Sequence, residues 1–188
     1  MTMSSTWEFR GAPVKCDYDS DFLVILGECY DTIFDEALTA ASESHRCAWL
    51  RREALTCLPN PQKMKNALEL SWLRKVRIFS GRDTCALINS IRKNHLKPHT
   101  IIVEVEIPHL ESLAGQFASF AHLAQYVVAS RKREKQALPT FPVIAYIPEP
   151  TAEAPLIATL FSSCVLRLNS KGDFDNIALS GNEKRWQR

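Results

Sequence analysis

Short apolar runs alternate with amphipathic stretches along most of this chain, and the alternation predicts an α/β domain. Apolar runs of about four to eight residues are typical of buried strands, and apolar positions three and four apart are typical of helices. The predicted strands are 22–26, 46–50, 75–79, 100–107, 141–147, 164–169 and 174–180, and the predicted helices are 29–44, 83–94, 109–133 and 156–162. Strands that alternate with helices form a mainly parallel sheet with helices on both faces.

The last two predicted strands break the alternation. The turn signal Ser170-Lys171-Gly172-Asp173 separates them, so they are predicted to form a β-hairpin at one edge of the sheet. The first twenty residues are polar and carry no predicted element. We therefore divide the chain into a polar leader at 1–20, one domain at 21–181 and a basic tail at 182–188.

The first predicted strand runs into Gly27 and then into a helix, which is the frame of a phosphate-binding loop. Such loops read G-x-x-x-x-G-K-[ST], because backbone N–H groups and the Lys hold phosphate and the hydroxyl holds Mg²⁺. Counted from Gly27, Thr32 stands at the second Gly position, Ile33 at the Lys position and Phe34 at the hydroxyl position. Two acids, Glu28 and Asp31, lie within the same loop. Apolar side chains do not hold phosphate, and carboxylates repel it. The sequence therefore predicts a degenerate loop, no nucleotide cofactor and no ATPase activity, with Ile33 and Phe34 filling the space of a nucleotide.

Two acids stand near the end of the predicted strand 100–107. Glu104 and Glu106 lie two apart, so they face the same side of that strand. In P-loop enzymes an acid on such a strand holds the Mg²⁺ shell. Without a phosphate-binding Lys it has nothing to act on, so we favour a degenerate acid on an exposed strand end that faces solvent or a partner. An unrecognised α/β enzyme that uses Glu104 remains the alternative.

No other catalytic or metal-binding pattern stands out. The chain has no G-x-S-x-G, and its five His lack metal-ligand spacing with Cys or carboxylates. None of the six Cys forms C-x-x-C, so we interpret them as buried reduced thiols of a cytosolic or nuclear protein. The N-terminus lacks the apolar region of a secretory signal, and no apolar run approaches the roughly 20 residues of a membrane helix. We therefore expect no catalytic residue, no metal and no membrane contact.

Charge is distributed unevenly along the chain. Residues 1–45 carry a net charge of −7 and residues 46–188 a net charge of +9. The densest cationic cluster, at the end of the long predicted helix, is Arg131, Lys132, Arg133 and Lys135. Such a cluster binds nucleic-acid phosphates in a sequence-independent, salt-sensitive way. It also complements the helix dipole without any ligand, so both interpretations stay open.

The order of these segments resembles a known family. The resemblance spans about residues 21–181 and is carried by FLVILGECYDTIFDEAL, CAWLRREALTCLP, LRKVRIF with the later TIIVEVEI, and the terminal CVLRLNSKGDFDNIALSG. These stretches resemble the divergent RecA-like paralogues of the eukaryotic strand-exchange recombinase, among them the SWIM-domain-associated subunits of animal Shu complexes. Members that bind ATP keep Gly-Lys-Thr in the loop, whereas this chain has Thr32-Ile33-Phe34.

The resemblance implies a single RecA-like domain of the P-loop NTPase-like class. It implies a nuclear, non-catalytic subunit that supports homologous recombination and DNA repair. The implied partners are a SWIM-domain zinc protein, a strand-exchange recombinase or its paralogues, and single-stranded or branched DNA; the zinc would belong to the partner. An alternative is an inactive RecA-like scaffold subunit of another complex, such as an Elongator-type tRNA modification assembly.

Overall fold

A computed structural model describes residues 4–9, 12–17, 22–42, 46–51, 53–57, 59, 70–80, 88–89, 98–105, 110–135 and 141–177. Their strands are β1 (Ser4–Phe9), β2 (Ala12–Asp17), β3 (Leu23–Leu26), β4 (Cys47–Arg51), β5 (Val76–Ser80), β6 (Thr100–Glu104), β7 (Val143–Ile147), β8 (Cys164–Leu168) and β9 (Phe174–Asn176). Their helices are α1 (Tyr30–Ser42), α2 (Leu70–Leu73), α3 (Leu110–Arg133) and α4 (Ala154–Phe161).

Seven of these strands form one sheet in the order β5-β4-β6-β7-β3-β8-β9. All neighbours in the sheet are parallel except β8 and β9, which form the antiparallel hairpin expected at its edge. The predicted α/β fold, with a mainly parallel sheet and a C-terminal hairpin, is thus confirmed. The arrangement is consistent with a single RecA-like domain.

Burial on both faces explains why the central strands read as continuous apolar runs. Leu23 and Ile25 of β3 face a core built with α1, whereas Val24 and Leu26 face a core built with α3 and α4. Successive side chains of a strand point to opposite faces, so one apolar strand supplies both cores. The helices therefore cover the two faces of the sheet, as the alternation of strands and helices predicts.

The connections after β3 and β7 leave the sheet in opposite directions. β3 continues into α1 on one face, whereas its neighbour β7 continues into α4 on the other. Ligand sites of open parallel sheets lie in the crevice that such divergence leaves at the carboxyl ends of the strands. We call this side of the molecule the carboxyl edge, and the side where the parallel strands begin the amino edge.

The leader contains two strands that we did not predict. β1 and β2 form an antiparallel hairpin in which Trp7 pairs with Val14, and β2 lies against β8 and β9. The polar residues of these two segments hide the strand pattern in the sequence.

Several predictions fall partly outside the described residues. The predicted helix 83–94 is described only at Ile88 and Asn89, which are helical. The tail 182–188 and Glu106 also lie outside the described residues, and so does the end of the predicted strand 174–180. No statement on their structure follows.

Candidate functional site

The turn between β3 and α1 consists of Gly27, Glu28 and Cys29, and α1 begins at Tyr30. This turn is shorter than the phosphate-loop pattern, which places six residues from its first Gly to the residue before its Lys. Gly27 has φ of +109°, and a Cβ there would lie 2.9 Å from the Cβ of Leu168. The glycine is therefore required by a left-handed turn and by the close approach of β8, without any need to invoke phosphate.

The structure corrects the expected positions of Thr32, Ile33 and Phe34. All three lie inside α1, with exposed fractions of 2%, 0% and 1%. The Phe34 ring packs on Trp49 of β4 at 6.4 Å between centroids. These side chains lie in the core between α1 and the sheet, so they do not line the turn. The apolar character of Ile33 and Phe34 follows from their place on the buried face of α1, which continues at Ala37 and Leu38.

Two of the three backbone donors of the turn are used inside the protein. The Gly27 N–H donates to the carbonyl oxygen of Ile147 at 2.9 Å, and the Cys29 N–H donates to the hydroxyl of Tyr146 at 3.0 Å. Helix N-termini bind anions through such N–H groups. Glu28 and Asp31, on either side of the start of α1, place carboxylates at the positive end of the helix dipole. The local arrangement therefore disfavours a phosphate.

A charged pair lies next to this turn. Arg51 Nε donates to Glu104 Oε2 at 2.6 Å, and the Tyr30 hydroxyl donates to Glu104 Oε1 at 3.1 Å. The Arg51 guanidinium lies 5.2 Å from the centroid of the Tyr30 ring and 5.3 Å from that of Trp49, which is within cation–π range. The prediction that Glu104 marks an exposed strand end is wrong, since its side chain is only 12% exposed.

The strand order brings these two charges together. β4 and β6 are parallel neighbours, with Leu50 paired to Val103, so the next residues of the two strands are Arg51 and Glu104. In the sequence, Arg51 is one of two consecutive arginines, and nothing marks Tyr30 or Tyr146 as members of a polar cluster. Opposite charges at the ends of two strands could have pointed to the pair, but only if the strands were known to be adjacent.

Tyr30, Arg51, Glu104 and Tyr146 form one cluster, in which both tyrosines are neutral at physiological pH. The Tyr30 hydroxyl donates to Glu104, whereas the Tyr146 hydroxyl accepts from the Cys29 N–H. Burial, reinforced by the charge of Glu104, raises the pKa of Tyr30 to about 12. Burial also raises the pKa of Tyr146, whose ring meets that of Tyr30 edge-on at 5.2 Å. Both Glu104 oxygens accept hydrogen bonds, and the charge is balanced by Arg51. The cluster is thus suited to fastening α1 to the sheet, with both Glu104 oxygens engaged.

One donor of the cluster stays unmatched. Arg51 Nη1 is buried and has no hydrogen-bond partner among the described residues. A buried guanidinium donor without a partner costs free energy, which offsets part of the stabilisation that the pair contributes.

The predicted basic cluster divides into buried and exposed members. Arg131 is 9% exposed, and burial lowers its pKa, opposed by the charge of Glu134. Lys132, Arg133 and Lys135 are exposed. Lys135 has φ of +54° just beyond the end of α3, which is a common way for a helix to end. Of the four predicted residues, these three are thus exposed and Arg131 is buried, while their contact with nucleic acid stays a prediction.

The thiols follow the sequence prediction at three positions. Cys29, Cys47 and Cys164 are buried and form no disulfide, and Cys57 is exposed and forms none either. Burial raises the pKa of Cys47 to about 12, which keeps it an unreactive thiol. The described residues contain no group of three or more His, Cys, Asp or Glu that could hold a metal ion. Within the same residues, no helix is long and apolar enough to cross a membrane.

No known family matches this chain, and no curated protein matches it either. The resemblance to RecA-like recombinase paralogues therefore stays a prediction.

Proposed function

We propose that this chain is a non-catalytic RecA-like subunit that supports homologous recombination and DNA repair in the nucleus. It acts by assembling with a SWIM-domain zinc protein and by promoting recombinase filaments on single-stranded DNA. The observation that carries the non-catalytic part is the closed turn between β3 and α1. Its Gly27 and Cys29 N–H groups bond within the protein, and the nearby Glu104 is neutralised by Arg51.

The closed turn makes nucleotide binding the first test. Isothermal titration of the purified chain with Mg-ATP should give no binding heat at micromolar concentrations, because the turn has no lysine for the phosphates and its Gly27 and Cys29 N–H groups bond within the protein. Binding at micromolar affinity, or turnover that Glu104→Gln abolishes, would contradict the proposal and revive an α/β enzyme.

Exposed apolar side chains support a role in assembly. Leu156 and Leu160 lie one turn apart on α4 and are 68% and 71% exposed. Single exposed leucines are common, but two on the same face of a short helix favour contact with another protein. Replacing both with Asp should leave the unfolding midpoint nearly unchanged and reduce co-purification of the partner.

Co-purification from cells, followed by mass spectrometry, identifies the complex. A SWIM-domain protein together with recombinase paralogues is the expected result. Recovery of Elongator-type subunits instead would replace the proposal with a scaffold role in tRNA modification.

For Leu156→Asp with Leu160→Asp, the matched control is Thr159→Asp, which adds a charge on the same helix without removing an apolar side chain.

A further inference from the structure

Cations from three separate parts of the chain meet at the amino edge of the sheet. Arg46 stands just before β4, and Arg74 and Lys75 stand just before β5. Lys132, Arg133 and Lys135 lie at the end of α3, which leads back toward the start of β7. We call the six residues Arg46, Arg74, Lys75, Lys132, Arg133 and Lys135 the basic edge. Lys75 is half-buried and the other five are exposed.

Hydrogen bonds between neighbouring strands fix the order of this edge. The Cys47 N–H donates to the Lys75 carbonyl oxygen at 3.1 Å, and the His99 N–H donates to the Arg46 carbonyl oxygen at 2.7 Å. The start of β4 is thus held between the starts of β5 and β6, and β7 follows β6. Neighbouring strands are about 4.8 Å apart, so the basic edge extends over about 14 Å from β5 to β7.

The opposite edge carries the opposite charge. Acids follow the carboxyl ends of β3, β4, β6 and β7, and the described ones are Glu28, Asp31, Glu53, Glu104, Glu149 and Glu153. The cations that the described residues place at this edge are fewer: Arg51, and Arg167 and Lys171 at the end of β8 and in the β8–β9 turn. At the amino edge, Glu134 is the acid that the described residues place among the six cations. A long polyanion is therefore attracted to one edge and repelled from the other.

We propose that the basic edge binds the phosphate backbone of a nucleic acid, so that the strand runs across the starts of β5, β4, β6 and β7. This inference rests on the proposed function and assigns its nucleic-acid contact to a surface made by three chain segments. The surface lies opposite the crevice at the carboxyl edge, which leaves that crevice outside the nucleic-acid contact.

The shape of the edge favours nucleic acid over other polyanions. The edge extends over about 14 Å, which corresponds to about four phosphates at the roughly 3.4 Å per nucleotide of one strand of a duplex. Tyr126, which is 39% exposed, lies one heptad before Arg133 on the same face of α3. At about 1.5 Å per residue this ring lies about 10 Å along the helix from Arg133, where it could stack on an unpaired base of a strand that continues past the basic edge. A lipid surface would instead need several apolar side chains on a helix face next to the cations.

Two pairs of substitutions test the surface. Arg46→Ala with Arg74→Ala removes two charges from the basic edge, and Arg167→Ala with Lys171→Ala removes two exposed charges from β8 and the β8–β9 turn. Fluorescence anisotropy with a labelled oligothymidine of about twenty nucleotides gives the association constant K between about 50 and 200 mM KCl. The salt slope is the magnitude of the decrease of log K with log[KCl]. Each phosphate contact contributes about 0.7 to this slope for a single strand, so the first pair should lower it by about 1.4. The second pair should leave the slope unchanged.

Two further binding experiments, with a duplex and with lipid vesicles, distinguish the possible ligands. A duplex of the same length shows whether paired or unpaired backbone is preferred, and loss of binding by the first pair in either arm supports the proposal. Phosphatidylserine vesicles test a lipid surface. The proposal is overturned if wild-type protein binds neither oligonucleotide, if both pairs lower the slope equally, or if vesicles bind while oligonucleotides do not. Equal circular dichroism spectra and unfolding midpoints show that both pairs fold.

The outcomes separate this proposal from the proposed function. If the SWIM-domain partner co-purifies but the first pair leaves nucleic-acid binding unchanged, the surface is wrong and the assembly role stands. If the first pair weakens nucleic-acid binding but no recombination partner co-purifies, the surface stands and the assembly role fails.

Discussion

Gly27 is held by its positive φ and by the approach of Leu168, so its replacement should be costly. Gly27→Ala forces a Cβ into the left-handed region and against β8, and we expect a loss of about 1–3 kcal/mol in the free energy of unfolding. Urea denaturation measures it. Gly115→Ala is the matched control, since Gly115 is an exposed residue of α3 and an added Cβ there has nothing within 4 Å. It should stabilise the protein by about 0.4–1 kcal/mol. Equal effects at both positions would contradict the explanation of the turn.

The Arg51–Glu104 pair should behave as a structural unit. Glu104→Leu leaves a buried guanidinium without its counter-charge, and we expect a loss of about 3–5 kcal/mol in the free energy of unfolding. Arg51→Met together with Glu104→Leu should cost less than Glu104→Leu alone, because no unpaired charge remains buried. Urea denaturation of the single and double variants compares them. A double variant that is at least as unstable as Glu104→Leu would show that the pair is not the unit that matters.

The start of α1 is fastened to the sheet by tyrosine hydroxyls, and this makes the fold sensitive to strong base. The pKa of Tyr30 rises from 10.0 to about 12 on folding, so its protonated form favours the folded state. That stability is fully present below about pH 10 and is lost as the pH rises toward about 12. Cys47, whose pKa rises from 9.0 to about 12, adds a loss that begins about one pH unit earlier.

Tyr30→Phe isolates the contribution of the helix start. The variant lacks the hydroxyl that donates to Glu104, so its free energy of unfolding should fall less steeply than that of wild type between about pH 10 and 12. Unfolding midpoints in urea across this range measure the slope. Tyr126→Phe, in an exposed ring of α3, should follow the wild-type curve. A Tyr30→Phe curve parallel to wild type would contradict the role of this hydroxyl.

Strands and helices were predictable where the element's own residues show an apolar run or helical spacing. β3 and β7 are apolar along their whole length because both faces are covered, and α3 repeats its apolar positions with helical spacing. β1 and β2 were missed because their stability depends on pairing across the hairpin. The cluster at the carboxyl edge was missed for a related reason. Arg51 and Glu104 are 53 residues apart in the chain and become neighbours only through the order of β4 and β6.

The molecule as a whole carries its charge in a different pattern from the chain. Along the sequence, an acidic first quarter is followed by a basic remainder. In the fold, Glu104, Glu149 and Glu153 of that basic remainder join Glu28 at the carboxyl edge. Because every parallel strand has the same direction, residues before strands collect on one side and residues after strands on the other. Only the strand directions, not the net charge of +2, reveal this separation.

Ion-exchange chromatography tests the separation of charge. Near pH 7.5 and at low salt, the protein should be retained on both a cation exchanger and an anion exchanger, because each resin meets an edge of opposite sign. Arg46→Ala with Arg74→Ala should elute earlier from the cation exchanger and be retained at least as well by the anion exchanger. Retention on the cation exchanger alone would indicate that the acids of the carboxyl edge do not act together.

The three-residue turn after β3 also limits how this protein can change. Its shortness is a matter of chain length, so no exchange of side chains rebuilds a nucleotide pocket there. Lys at Ile33 or Thr at Phe34 would place polar groups in the packed layer between α1 and the sheet. Such substitutions should destabilise the protein, because they bury polar groups in an apolar layer. A longer turn would need an insertion ahead of Tyr30, since substitutions leave its length unchanged.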